Sequence, residues 1–192
     1  MKEALAERAL SFREVGDPAD EAARLLADSK IVGWFQGKAE VGPRALGARS
    51  ILADPRRPEM KDIVNARVKH REGFRPFAPA VLDEHGPEYF DGYYPNPFML
   101  LVLPVRHDKR DIIPAVTHVD GTGRMQTVTR EGNPGFHAVI DAFRARTGVP
   151  VVLNTSYNLR GEPIVNTTEN AYNTFMKSGM DALFLENAIV AK

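Results

Sequence analysis

The sequence of 192 residues contains no cysteine. That absence excludes disulfides, cysteine nucleophiles and thiolate metal sites, and it suits a cytoplasmic protein. Neither sign of charge is in excess: 25 Lys and Arg face 25 Asp and Glu, a formal net charge of +0. Duplex-DNA binders usually carry surplus cations, so neutrality argues against that class. No apolar run approaches the ~20 residues of a membrane span. The longest, Phe98 to Leu103, has the length of a buried strand. The opening MKEALAERAL has acids and no apolar core, so it is not a secretory signal. No Walker loop is present, and the Gly-Thr-Gly at 121–123 lacks the third glycine of a dinucleotide fingerprint. The histidines (His70, His85, His107, His118 and His137) show no ligand spacing, so no metal site of the chain's own is expected.

What is there reads as an α/β protein. Hydrophobic residues make up 43% and charged residues 26%, enough apolar material for one large domain with a real core. Residues 1–16 are weakly patterned and are expected to be a flexible lead-in to a domain spanning 17–192. Asp17-Pro18 pairs an N-cap with a first-turn proline, which predicts a helix to about Ser29. Apolar runs predict strands at 31–35, 50–52, 76–82 and 98–105. Pro58 opens a second helix, with Met60, Ile63 and Val64 at helical spacing. MQTVT at 125–129 alternates like a strand with one wet face. Asn133-Pro134 starts a helix whose Phe136, Val139, Ile140 and Phe143 share a face, and Gly148 stops it. VPVVLN at 149–154 is a buried strand, Thr167 caps a last helix to about Lys177, and LFLE and AIVA close the chain as strands. Alternation of this kind predicts a single domain built on a twisted, mixed, largely open sheet flanked by helices.

The charge is balanced overall but not locally. Between Phe35 and Pro76 there are ten Lys or Arg against five acids, set among Gly37, Gly42 and Gly47. Glycines let the backbone approach an anion and turn its N–H groups toward it, and arginine recognises phosphate or carboxylate with a planar fork. A solvated basic face is the plain alternative, but Val41, Ala45, Leu46, Ile51 and Leu52 place these cations on structured backbone. VGPRALGARS at 41–50 reads as an anion clamp carrying Arg44 and Arg49. VKHREGFRPF at 68–77 aims Lys69 and Arg75 from a helix end into a cleft, with Phe74 and Phe77 expected in the core. THVDGTGRMQ holds His118, Asp120 and Arg124 around a turn; the carboxylate suits the turn, and Arg124 suits a ligand. LNTSYNLRGEP follows a buried strand directly, where α/β proteins place ligands. There Asn154, Thr155, Ser156 and Asn158 offer neutral hydrogen bonds and Arg160 a charge. Ser156 reads as a phosphate-binding hydroxyl rather than a nucleophile, because N-T-S-Y-N is not a nucleophile elbow.

Four segments together (GWFQGKAEVGPRALGARSILADPR, MKDIVNARVKHREGFRPFAPAVL, PAVTHVDGTGRMQTV and GVPVVLNTSYNLRGEPIV) resemble the C-terminal region of the O-carbamoyltransferases of antibiotic and nodulation-factor biosynthesis. The resemblance runs from about Ile31 to Lys192. It implies a YrdC/Sua5-like fold and carbamoyl activation, in which carbamoyl phosphate and ATP, with Mg²⁺, become carbamoyl-adenylate with release of phosphate and pyrophosphate. By motif position it implies Arg44, Lys69 and Arg75 as catalytic cations. It adds Arg124, Asn154 and Ser156 as phosphate ligands; His118, Thr155 and Arg160 are further candidate contacts from the residues of the same segments, not from the resemblance. It also implies a metal-bearing, Kae1-like transferase domain as partner. Nothing before Asp17 supplies one, so complete transfer is not expected of this chain alone. Neither a membrane nor nucleic acid is an expected partner. The reading from a different class is a nucleotide- or RNA-binding module that keeps the basic cavity without turnover; overall neutrality and the polar LNTS loop favour the enzyme.

Overall fold

The computed structural model describes residues 12–192. In chain order its elements are strand β1 (Arg13–Glu14), helix α1 (Pro18–Ala27), β2 (Val32–Phe35), β3 (Arg49–Ala53), α2 (Met60–Val64), β4 (Ala78–Leu82), the single turn α3 (Gly86–Tyr89), β5 (Leu103–Pro104), β6 (Thr122–Gly123), β7 (Gln126–Val128), α4 (Pro134–Thr147), β8 (Val151–Ser156), α5 (Thr168–Lys177), β9 (Ala182–Leu185) and β10 (Ala188–Ala191). One sheet runs in the order β1-β10-β9-β2-β3-β8-β4-β7, and β5 and β6 form a separate ribbon. Within the large sheet β2 pairs with β9 and β4 with β7 in parallel; its other neighbours are antiparallel. This is the open, mixed α/β sheet that the alternating pattern predicts.

The helix starts follow the local chemistry. Asp17 accepts from the amides of Ala19 and Asp20, each at 3.0 Å, with Pro18 in the first turn. Asn133 caps α4 by accepting from Phe136 at 3.0 Å, and Gly148 ends it at φ 77. Thr167 and Asn170 cap α5 reciprocally. α1 packs along α4, α4 lies over β4 and β8, and α5 contacts β2 and β9. Ala22, Leu26, Phe136, Val139, Ile140, Phe143, Val151, Val152 and Leu153 are all buried in one continuous core.

Four expectations need correction. β7 has no wet face: Met125, Gln126, Thr127 and Val128 are all buried. Residues 98–105 are not one buried strand: Phe98, Leu100 and Val102 are exposed, Leu103–Pro104 pairs with β6, and Val105 makes only an isolated bridge to Phe90. The buried Asn96 takes the segment's hydrogen bonds instead. Its amide donates to Leu101 and Met125 carbonyls at 3.1 and 2.9 Å and accepts from Leu100 N–H at 2.9 Å. Met99 turns inward at φ 56. Phe74, expected in the core with Phe77, is 77% exposed. Of the expected lead-in, residues 1–11 lie outside the described residues, whereas Arg13–Glu14 pair with Ile189 and Ala188 as an edge strand.

The Arg44 loop meets the core at Gly47. It sits at φ 105, and a Cβ there would stand 2.3 Å from Phe136 Cδ1. Phe136 is fully buried, so it has nowhere to move. Gly47→Ala is expected to cost about 2–4 kcal/mol, from left-handed strain plus overpacking. Urea denaturation measures it; a wild-type midpoint would show that the loop relaxes freely.

Candidate active site

Sheet topology brings the sequence-distant motifs to one edge. β8 runs antiparallel to both β3 and β4, so its C-terminal end lies beside their N-terminal ends. In register, Ser156 faces Ser50 and Asn154 faces Ala78. The loop before β3, the turn before β4 and the approach to β7 therefore converge on the end of β8.

A cavity of about 150 Å³ opens there, lined by Pro43, Arg44, Ala45, Arg71, Pro76, Phe77, Ala78, Met99, Arg124, Asn154, Thr155 and Ser156. Its lining carries guanidinium groups, neutral hydrogen-bonding groups and no carboxylate. Burial lowers the pKa of Arg124, with the Arg44 charge adding to it, and burial followed by the Arg75 charge lowers that of Arg71. Arg124 and Arg44 repel each other across a lining that holds no carboxylate, while Arg71 is opposed by Arg75 and partly offset by Glu72 outside the cavity. Two buried polar atoms of lining residues, Arg124 Nε and Asn154 Oδ1, have no hydrogen-bond partner among the described residues. The Asn154 amide is held from behind, donating to the Ala45 carbonyl at 3.0 Å and to Gln126 Oε1 at 2.8 Å.

Lys69 stands behind this wall and is almost fully buried. α2 continues into a π-helical turn, Asn65–Lys69, which ends at His70 in the left-handed region at φ 47. That turn points the ammonium inward, where it donates to Asn158 Oδ1 at 2.9 Å, Asn158 O at 3.0 Å, Ser156 Oγ at 3.3 Å and the Ser156 carbonyl. Ser156 Oγ in turn donates to Asn158 Oδ1 at 2.7 Å. None of these partners is charged. Burial, then the Arg71 charge, brings the Lys69 pKa down from its ordinary value to about 7.

The remaining candidates sit further out. Arg75 is exposed, 3.2 Å from Glu72, and lines an adjoining cavity of about 320 Å³ with Arg71, Phe77, Val102, His118 and Arg124. His118 is half-buried, its pKa lowered by burial against the opposing pull of Asp120. It also lines a third cavity of about 380 Å³, beside Lys61, Phe74 and Val119. Asp120 accepts from Thr122 N and Oγ1 at 3.0 and 2.7 Å, the turn role expected of it. Arg160 is exposed and lies outside these three cavities. Arg49, expected in the clamp, is a framework residue: it is buried, stacks 3.6 Å from the Phe35 ring centroid, and donates to the carbonyls of Gln36, Gly37 and Ala48. Arg71, within the VKHREGFRPF segment, is a lining residue that the sequence did not single out. Its guanidinium lies 4.9 Å from the centroid of the Phe77 ring, a contact made by the turn at Pro76 that no local sequence pattern records.

Among the described residues no helix is long and apolar enough to cross a membrane. The carbamoyltransferase C-terminus family profile matches residues 23–192. The chain is 52% identical over 186 residues to the nodulation protein NolNO of Sinorhizobium fredii, covering 95% of this chain and 27% of that protein. It is 48% identical over 186 residues to the nodulation protein NolO of Bradyrhizobium diazoefficiens, covering 95% of this chain and 34% of that one. The chain thus spans roughly a third or less of the length of these relatives. In fold it is similar to full-length HypF in its phosphate- and nucleotide-bound form (TM-score 0.58, 18% identity, 95% of this chain and 23% of that one). It is likewise similar to P. abyssi Sua5 complexed with L-threonine (TM-score 0.59, 14% identity, 81% of this chain and 43% of that one), which makes the fold YrdC-like. A profile match over residues 23–192, joined to close similarity along nearly the whole chain, places this protein in the carbamoyltransferase C-terminus family.

Proposed function

We propose that this chain activates a carbamoyl group, binding carbamoyl phosphate and ATP and joining them as carbamoyl-adenylate. The observation that carries the reading is a cavity lined by Arg44, Arg71 and Arg124 with no carboxylate to neutralise them. Such a cluster is costly for folding alone and is relieved by a multiply charged anion. Water first splits carbamoyl phosphate into carbamate and phosphate. A carbamate oxygen then attacks the α-phosphorus of ATP, the α–β bridging bond breaks, and pyrophosphate leaves. Both partners of the second step are anions, so fixed guanidinium groups that lower their repulsion and spread the phosphoryl charge are the main lever. Arg44 and Arg124 hold the phosphoryl oxygens, with Thr155 as a hydroxyl contact; the Ser156 hydroxyl proton is given to Asn158 Oδ1, so Ser156 serves the cavity wall instead. Carbamate is already a nucleophilic anion, so no general base is assigned. The lining offers Mg²⁺ no carboxylate; in this reading the ion arrives with ATP, held by phosphates and water. Arg75 and His118, in the adjoining cavity, serve the part of ATP beyond the α-phosphate. Arg160 retains only a peripheral, steering role.

Pyrophosphate release is expected only when ATP and carbamoyl phosphate are both present. Arg44→Ala should lower it at least a hundredfold, the scale of losing a fixed charge-stabilising donor, while leaving the melting temperature near wild type. Binding of either compound without release would favour the non-catalytic nucleotide-binding module.

The Lys69 pKa of about 7 sets a pH dependence. Below that value the buried group is an ammonium and adds to the positive field; above it the group is a neutral amine. ATP affinity is therefore expected to fall by about tenfold from pH 6 to pH 8, as one cation is lost. Lys69→Met should bind weakly and flatten the profile. An equal slope in that variant would assign the titration to another group.

Carbamoyl transfer to a hydroxyl is assigned to the rest of a longer protein, a Kae1-like domain in the same chain or a partner. With ATP and carbamoyl phosphate supplied, these 192 residues are expected to leave aminoglycoside and sugar hydroxyls unmodified by mass spectrometry. Adding a Kae1-like domain should yield the carbamoylated product; a product without it would overturn the division of labour.

A further inference from the structure

We infer that Glu40 is a positioning residue for the anion cavity, setting the backbone from which Arg44 reaches into it. Glu40 lies outside the cavity lining, and its carboxylate is engaged by amides of its own loop. Its Oε1 accepts from three main-chain amides on the far limb of that loop: Leu46 at 2.6 Å, Ala48 at 2.8 Å and Arg49 at 3.4 Å. A single anionic oxygen thus satisfies donors on both sides of Gly47, which sits at φ 105. Charge-assisted bonds of this kind are stronger and shorter than neutral ones. Arg49 closes the near limb with its bonds to Gln36 and Gly37 carbonyls, so the segment 36–49 is tied across its base by an acid and a base. At its apex Arg44 is exposed and makes no ion pair among the described residues. Nothing at the side chain itself fixes where this guanidinium sits; the loop backbone must. The same backbone presents the Ala45 carbonyl to Asn154 and the Leu46 carbonyl to Gln126 at 2.9 Å. Glu40 therefore acts on Arg44 and Asn154 together, through the main chain. An acid within a cationic segment would ordinarily weaken anion binding by partial neutralisation. Here its charge is spent on backbone amides, so removing it should weaken binding instead.

The inference rests on the proposed role of the cavity, so its test reads the loop and the ligand separately. Amide hydrogen exchange at Leu46 and Ala48 reports the loop without any ligand; Glu40→Ala should speed it by about tenfold or more while exchange in β8 stays unchanged. ATP and inorganic phosphate titrations report the site. Glu40→Ala is expected to weaken both by about tenfold, and Glu40→Gln, which keeps the acceptor oxygen, to recover binding to within about threefold of wild type. In an Arg44→Ala background Glu40→Ala should cost about threefold or less, because only its effect through the Ala45 carbonyl and Asn154 remains. Additive effects of Glu40→Ala and Arg44→Ala would overturn the inference while leaving the proposed cavity intact. So would wild-type exchange at Leu46 and Ala48, or a Glu40→Gln variant as weak as Glu40→Ala. If Glu40→Ala fails to fold, Glu40→Asp, which withdraws the carboxylate by one methylene, is expected to show the same pattern at smaller size. Failure of ATP and phosphate to bind the wild-type protein at all would overturn the proposed function and this inference with it.

Discussion

The structure depends on one unusual burial, the Lys69 ammonium held by neutral oxygens at the end of β8. An interior lysine normally either finds a carboxylate or loses its proton. Here it meets two carbonyls, a hydroxyl and an amide oxygen, all from residues 156 and 158. This contact joins the π-helical turn after α2 to the strand that carries Asn154, Thr155 and Ser156. A π turn is rare and is found mostly where function asks for an irregular backbone. In this protein it delivers a cation to a place that a regular helix would miss. The ammonium meets no counter-charge among these partners; in the proposed reading an anion on the other side of the wall supplies one.

Around that contact the polar framework is built from amides rather than charges. Asn65 donates to the Gly73 and Arg75 carbonyls at 3.4 and 3.0 Å and accepts from Arg71 Nε at 2.7 Å. Gln126 and Asn154 link β7, β8 and the Arg44 loop. Neutral side chains can brace a cationic cavity without cancelling its field. Carboxylates could give equal rigidity, but they would fill the site electrostatically before any ligand arrived. The acids that do occur nearby are turned away or engaged elsewhere: Glu72 with Arg75 outside the cavity, Asp120 in its own turn, Glu40 on backbone amides.

Much of the fold was legible because its signals are local. Asp17-Pro18, Asn133-Pro134 with Gly148, and Thr167 mark helix ends by hydrogen bonds made within a few residues. The apolar cores of β2, β4 and β8 announce themselves by composition. The site was legible as a set of segments, and the family resemblance supplied its order, but not which cation does what. Arg44 and Arg49 share one motif and look alike in sequence. Only the pairing of β2 with β3 shows that Arg49 lies over Phe35 while Arg44 faces the cavity. Phe74 and Phe77 divide the same way, since Pro76 turns the chain between an exposed ring and a buried one. The 98–105 segment misled because a side chain, Asn96, replaces a neighbouring strand as hydrogen-bond partner. No pattern of apolar residues records that substitution.

The antiparallel seating of β8 between β3 and β4 has a consequence for how this sequence can vary. Side chains alternate between the faces of a strand, so a slip of one residue would exchange the surroundings of Asn154 and Thr155. The strand would still be apolar and would still pair. A single insertion or deletion between Val151 and Ser156 would therefore leave the fold recognisable and the cavity wall scrambled. Length changes should be tolerated in the connections after Asn158 and excluded from the strand itself, and the spacing from Val151 to Asn158 is a more sensitive record of shared chemistry than overall identity.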